Sequence, residues 1–184
     1  NGEYKWHFQE IEHDVLNLDL ASPPVLYDSS NGDIVIQASK TGQLILLDRK
    51  TGKAIENFEE DIYYHDNKKK IFSKFKKFEK WLQFSKIHFK QDDINRLSLE
   101  YMNEAQEIIK KSLITDYKSL EINQNYIHYG MHGGSEWPGI GLDLKGNVII
   151  PASNIAWISR LKDPKDFNFK FHFKQIFLST LNLF

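Results

Sequence analysis

The sequence contains no cysteine. Disulfides, thiolate catalysis and Cys-type zinc sites are therefore excluded, while the redox state of the compartment is left undecided. No run of 18 or more apolar residues occurs, so no segment reads as a transmembrane helix. The chain begins at Asn1 rather than Met, and no charged stretch followed by an apolar one precedes Trp6. The expectation is a chain cut by processing or taken from within a longer one. What is present is ordinary for one globular domain: 184 residues, 41% hydrophobic and 27% charged.

The formal net charge of −1 conceals a mosaic. Residues 68–90, KKKIFSKFKKFEKWLQFSKIHFK, hold nine Lys and one Glu, giving 9 − 1 = +8 and leaving −1 − 8 = −9 for the rest. Basic residues interleaved with aromatics suit phosphates and stacked bases, or an anionic membrane surface. The plainer expectation is a solvated loop with anchoring aromatics.

Short apolar runs separated by glycine turns mark two stretches. In PVLYDSSNGDIVIQASKTGQLILLDRKTGKAI, Gly32, Gly42 and Gly52 fall ten residues apart and punctuate VLY, IVIQA and LILL. Glycine supplies the positive φ of tight hairpins, so this spacing predicts a three-stranded antiparallel meander. The second stretch, WPGIGLDLKGNVIIPASNIAWISRL, repeats the texture, with Gly146 turning IGLDL into NVIIPAS. Between them, residues 92–112 carry Ile94, Leu97, Tyr101, Ala105 and Ile108 at spacings of three and four, which predicts an amphipathic helix capped by Ser98 or Asp93. In the tail, Phe167, Phe169, Phe171 and Phe173 alternate with polar residues as in a half-buried strand, and no structure is assigned to 176–184.

The run WHFQEIEHDVLNLD gathers His7, Glu12, His13, Asp14 and Asp19. A zinc site needs donors converging about 2 Å from the ion. In an extended strand His7 and His13 share a face but stand about 20 Å apart. A metal cage from these residues is therefore disfavoured, and no metal ligand is assigned. His128 and His132 have HxxxH spacing, but the intervening YGM and the following GG argue against the helix that motif requires.

Taken in order, WHFQEIEHDVLNLDLASPPVLYD, VIQASKTGQLILLDRKTGKAI and GGSEWPGIGLDLKGNVIIPASNIAWISRL closely resemble the quinoprotein dehydrogenases, in particular the membrane-type glucose dehydrogenases that use pyrroloquinoline quinone (PQQ). The resemblance covers about residues 5–163 and extends to the helical segment. It implies an all-β fold: about two blades of an eight-bladed β-propeller of four-stranded antiparallel sheets, with a helical insertion. The expected division is a blade region at 1–60, a basic loop and helical insertion at 61–125, a second blade region at 126–166 and an unassigned tail at 167–184. Two blades leave both outer faces open, whereas a propeller covers them by closing its ring.

The resemblance also implies a chemistry. PQQ with calcium takes hydride from a sugar or alcohol hydroxyl, an Asp takes the proton, and electrons pass to a respiratory quinone on the periplasmic side of the inner membrane; no nucleic acid is expected. In relatives that Asp is sixth in a stretch of the form HHDLWDMD. Here EHDVLNLD places Asn17 there, and an amide takes up no proton near neutral pH. Asp14 and Asp19 keep the family identity but lie two or three residues away, about 6–10 Å in extended chain, too far for a transfer that needs about 3 Å. Lys40, in the turn SKTG, matches the family lysine that reaches the quinone oxygens; by composition alone it is a solvated turn residue. Trp137 and Glu136 lie in GGSEWPG, a segment that approaches the cofactor in relatives, although Trp137 also suits blade packing. The expected function is thus a piece of a PQQ-dependent dehydrogenase lacking its base and the calcium ligands of other blades. The alternative is a non-catalytic module that binds a polyanion or anionic membrane through 68–90.

Overall fold

The computed structural model describes residues 2–65, 68–115, 121–130, 134–163 and 165. The expected Phe-rich strand at 167–173 and the tail beyond it lie outside these residues. Within them the chain is built from short strands and one α-helix. The strands are β1 (Ile11–Glu12), β2 (Val25–Tyr27), β3 (Ile34–Ala38), β4 (Leu44–Asp48), β5 (Phe58–Tyr64), β6 (Phe72–Phe78), β7 (Ser112–Ile114), β8 (Asn125–His128), β9 (Gly141–Leu142), β10 (Val148–Ile149) and β11 (Trp157–Arg160), with α1 (Leu99–Lys110) between β6 and β7.

The meander forms as the glycine spacing predicts. Strands β2, β3 and β4 pair antiparallel in that order, with Val35 opposite both Leu26 and Leu47. Gly42 and Gly52 take φ of 78° and 70°, which a β-carbon would strain. Space matters at Gly52 as well, because an added Cβ would lie 2.4 Å from the ring of Trp6, whose indole N–H donates to the Arg49 carbonyl at 2.9 Å. Trp6 and Phe8 thereby cover a core of Val35, Ile45, Leu47, Phe78 and Leu82.

The basic segment departs from the expected loop. Residues 72–78 form β6, which pairs antiparallel along its whole length with β5 and on its other side with β1. Two features favour a strand. Phe75 and Phe78 bury their rings, and the lysines between them face acidic neighbours across the ladder: Lys74 Nζ lies 2.7 Å from Glu60, and Lys76 Nζ lies 3.8 Å from Glu60 and 3.9 Å from Glu12. Three of the segment's nine lysines, Lys74, Lys76 and Lys77, are therefore answered by β1 and β5.

Helix α1 is shorter than the 92–112 periodicity predicts. Residues 91–93 form a separate 3₁₀ turn, and Ser98 stands at the N-cap, without a side-chain capping bond. Ala105 is buried as expected, but its partner is Ile109; Leu97 and Tyr101 are exposed. The apolar periodicity admitted two neighbouring stripes, and the packing uses the one ending at Ile109. That residue joins Phe89, Ile127, Tyr129 and Ala156 in a second core.

Around this second core β8 pairs antiparallel with β11 and parallel with β7, while β9 and β10 form a separate two-stranded ladder across the Gly146 turn. Among the described residues no ladder exceeds three strands, and the parallel β7–β8 pair departs from all-antiparallel blades. The fold is an all-β partial propeller with open sheets.

Candidate functional site

Three segments far apart in the chain meet at the turn between β3 and β4. This turn, Ser39–Gln43, closes with the Gly42 N–H donating to the Ser39 carbonyl at 3.1 Å and the Ser39 N–H to the Gln43 carbonyl at 3.0 Å. Lys40 rides on it with its side chain only 8% exposed.

The first visitor is the loop after β1. Both oxygens of Asp14 accept backbone N–H groups, from Leu16 at 3.0 Å and Leu18 at 2.6 Å, which winds the chain tightly and puts Asn17 at φ 59°. Asn tolerates this left-handed conformation better than most residues. Leu18 is buried against Ile11 and Phe75, so the loop is pinned to β6. Lys40 Nζ then donates to the Asn17 carbonyl at 3.2 Å and to Asp19 Oδ1 at 2.8 Å. Its hydrogen bond holds the Asp19 carboxyl below the usual range.

The second visitor is Gly134–Glu136. The Ser135 N–H donates to the Ser39 carbonyl at 3.0 Å, and Gly134 (φ 61°) lies so close that an added Cβ would sit 2.3 Å from that oxygen and 2.5 Å from the Lys40 carbonyl. Only glycine allows that approach. Glu136 is half-buried, with its carbonyl receiving the Gly139 N–H at 3.0 Å, and Trp137 projects from the same turn with 76% of its surface exposed.

The three separate stretches that hold Asn17, Lys40 and the Glu136–Trp137 pair meet at this one turn. The five ionisable groups of the opening run do not converge. Tyr4 holds His7, Phe72 packs on His13, Lys74 and Lys76 approach Glu12, backbone amides occupy Asp14, and Lys40 takes Asp19. Among the described residues no group of three or more His, Asp or Glu is placed to hold a metal ion. His128 lies in strand β8, its Nε2 2.7 Å from Ser159 Oγ, and burial holds its pKa below the ordinary histidine value; His132 lies outside the described residues.

The site holds one further residue, a buried carboxyl. Glu10 is 3% exposed beneath the Lys40 turn, where Thr41 Oγ1 donates to its Oε1 at 2.6 Å and Gln43 Nε2 reaches the same oxygen at 3.3 Å. Its Oε2 is buried without a hydrogen-bond partner. Burial pushes its pKa up to about 7, against the lowering effect of Thr41, Ser39 and Gln43, and Asp14 adds a further push upward. The sequence carried no signal of this, because a Glu beside Gln9 and Glu12 reads as surface.

Lys40 has three N–H donors, two of them given to Asn17 and Asp19. A buried cation with a remaining donor suits an anionic, oxygen-rich ligand, and an exposed indole stands on the segment that docks at the same turn. The site is set in an incomplete propeller whose sheets stay open.

The chain belongs to the family described as "PQQ: Glucose/ethanol/alcohol dehydrogenase, beta-propeller domain", which it matches over residues 1–174. It is 36% identical over 59 residues to the quinoprotein glucose dehydrogenase of Gluconobacter oxydans (strain 621H), a match covering 29% of this chain and 7% of that protein. It is 36% identical over 64 residues to the probable quinate dehydrogenase (quinone) of Xanthomonas campestris pv. juglandis, covering 32% and 8%. With the quinoprotein glucose dehydrogenase of Escherichia coli (strain K12) it shares 33% over 58 residues, covering 29% and 7%. The matches thus span less than a tenth of each of these relatives. No solved structure matches the chain significantly.

Proposed function

We propose that this chain is a part of a PQQ-dependent dehydrogenase that oxidises a sugar or alcohol hydroxyl, on the periplasmic side of a membrane, with a respiratory quinone as final acceptor. The observation that carries the reading is the buried Lys40 ammonium, bonded to the Asn17 carbonyl on a turn that also receives Ser135. When bound, PQQ supplies the hydride acceptor. Lys40 would hold it through its remaining N–H donor and supply positive charge to its oxygens, and the Trp137 ring, exposed on the docked segment, would offer an apolar surface. Calcium belongs to the same proposal, but the carboxylates of this site do not suit it: Asp14 is spent on backbone amides and Asp19 on Lys40. No step is assigned to calcium in this chain.

As written the chain does not complete the reaction. The side chain at the base position is the exposed amide of Asn17, which cannot accept a proton. Asp19 is held in its ionised form by Lys40 and is correspondingly weak as a base. The test is titration of the full chain with PQQ and calcium, followed by quinone absorbance and thermal unfolding, beside Asn17→Asp. The expected result is saturable binding by both and dye reduction with glucose by the Asp variant alone. Absence of binding by either overturns the reading.

The rival, polyanion binding through 68–90, loses ground because Lys74, Lys76 and Lys77 lie within 4 Å of Glu12, Glu60 or Asp61.

A further inference from the structure

Glu10 takes no part in the chemistry proposed above, yet it is a carboxyl sealed beneath the turn that carries Lys40. The bonds around it run in one direction. Thr41 Oγ1 is shared between Glu10 Oε1 at 2.6 Å and Ser39 Oγ at 2.7 Å, and Ser39 Oγ accepts the Gln43 N–H at 3.1 Å. Gln43 Nε2 reaches Glu10, Thr41 Oγ1 and the Lys76 carbonyl, while Gln43 Oε1 accepts the Phe78 N–H at 2.8 Å. Glu10 is itself fixed to β6, since the Lys76 N–H donates to its carbonyl at 3.0 Å. The side chains on either side of Lys40 are thus tied through one carboxyl to the β5–β6 hairpin.

We propose that Glu10 is a positioning residue for Lys40: anchored on β6, it fixes Thr41 and Gln43 and so sets the direction of the Lys40 ammonium and the docking of Ser135 on the turn. The proposal rests on the functional reading only where it concerns the cofactor; the mechanical part stands on the bonds themselves. Thr41 and Gln43 present only neutral donors to this carboxyl. Of the charged groups on the packed elements, Asp14 in the following loop acts on it, while the Lys40 ammonium is engaged with Asp19 and the Lys76 ammonium with Glu12 and Glu60. Ionisation therefore places a charge in a buried site with one oxygen unpartnered, and the turn loosens to hydrate it.

The experiment compares the full-length wild type with Glu10→Gln and Glu10→Ala. Three quantities are read: hydrogen-exchange protection of the Gly42, Gln43 and Ser135 amides with Ile36 and Ile45 as controls, acetic-anhydride labelling of the Lys40 amine, and PQQ affinity. Glu10→Ala is expected to lower protection at the turn about tenfold, raise Lys40 labelling several-fold and weaken PQQ binding about tenfold, with Ile36 and Ile45 unchanged. Glu10→Gln, which keeps an acceptor at Oε1, is expected to resemble the wild type at pH 5.5 and, unlike it, to retain turn protection at pH 8.5. Equal loss at Ile36 and Ile45 overturns the proposal, as does an unchanged turn in Glu10→Ala. If Glu10→Ala does not fold, the pH comparison decides: identical loosening of wild type and Glu10→Gln at pH 8.5 overturns it. Turn and labelling changes without PQQ binding by any variant support the positioning role and overturn the cofactor reading. PQQ binding that ignores Glu10 overturns the link to the cofactor.

Discussion

Asn17 and Asp19 lie two positions apart and answer to opposite constraints. Asn17 sits at φ 59° with its amide exposed, so Asn17→Asp changes little in the fold: the expected cost is within about 0.5 kcal/mol in chemical denaturation, because Asp also tolerates this conformation. The gain is a carboxylate on the residue whose carbonyl Lys40 holds. Asp19 is half-exposed, but its partner is not, so Asp19→Asn removes the negative charge opposite the buried ammonium and leaves it only neutral acceptors there. The expected loss is about 1 kcal/mol at pH 7, discounted for the exposure of Asp19. The sign with pH follows from the depressed carboxyl: its stabilisation is present above the unfolded value of 3.8 and is lost as pH falls through the folded one, so the difference between wild type and variant shrinks in acid.

The elements divide by how much of their logic is local. The β2–β4 meander was legible because its alternation and its glycine turns pointed to the same strands. The β5–β6 hairpin was not, since Lys and Phe interleaved at 72–78 look like a charged loop until Glu12, Glu60 and Asp61 are placed opposite. Lys40, Asn17 and the 134–137 segment were legible only through family likeness, and Glu10 not at all, because its burial depends on partners some 30 residues away. The hairpin also supports the site. Phe75 packs on Leu18, with Tyr63 edge-on at 4.9 Å, so Phe75→Ala is expected to cost about 3–5 kcal/mol in urea unfolding and to loosen the Asn17 loop. Gly134→Ala meets a sharper obstacle. The positive φ costs about 1–2 kcal/mol. Contact with the Ser39 and Lys40 carbonyls adds to this, and the lowered melting temperature should come with loss of PQQ binding.

For the molecule as a whole, Glu10 gives the stability curve an unusual slope. Its folded pKa, about 7, lies above the ordinary 4.5, so the folded state holds a proton the unfolded chain has released. Its contribution is full below the ordinary value and falls as pH rises to about 7, by an amount of order 3 kcal/mol. Thermal unfolding from pH 4.5 to 8 is expected to show this decline, and Glu10→Gln to flatten it. A Glu10→Gln curve with the same slope as the wild type in that window contradicts a buried, protonated Glu10.

The contact of the Ser135 N–H with the Ser39 carbonyl joins positions 135 − 39 = 96 residues apart. A loop of that length closes slowly and only against a high chain-entropy cost, whereas the meander carrying Lys40 needs only neighbours in sequence. The meander is thus expected to pair before this contact forms, and the site to become complete only at the last long-range closure. During refolding, competence to bind ligand should trail the appearance of sheet, and damage anywhere between the two segments is registered first as a delay in assembly.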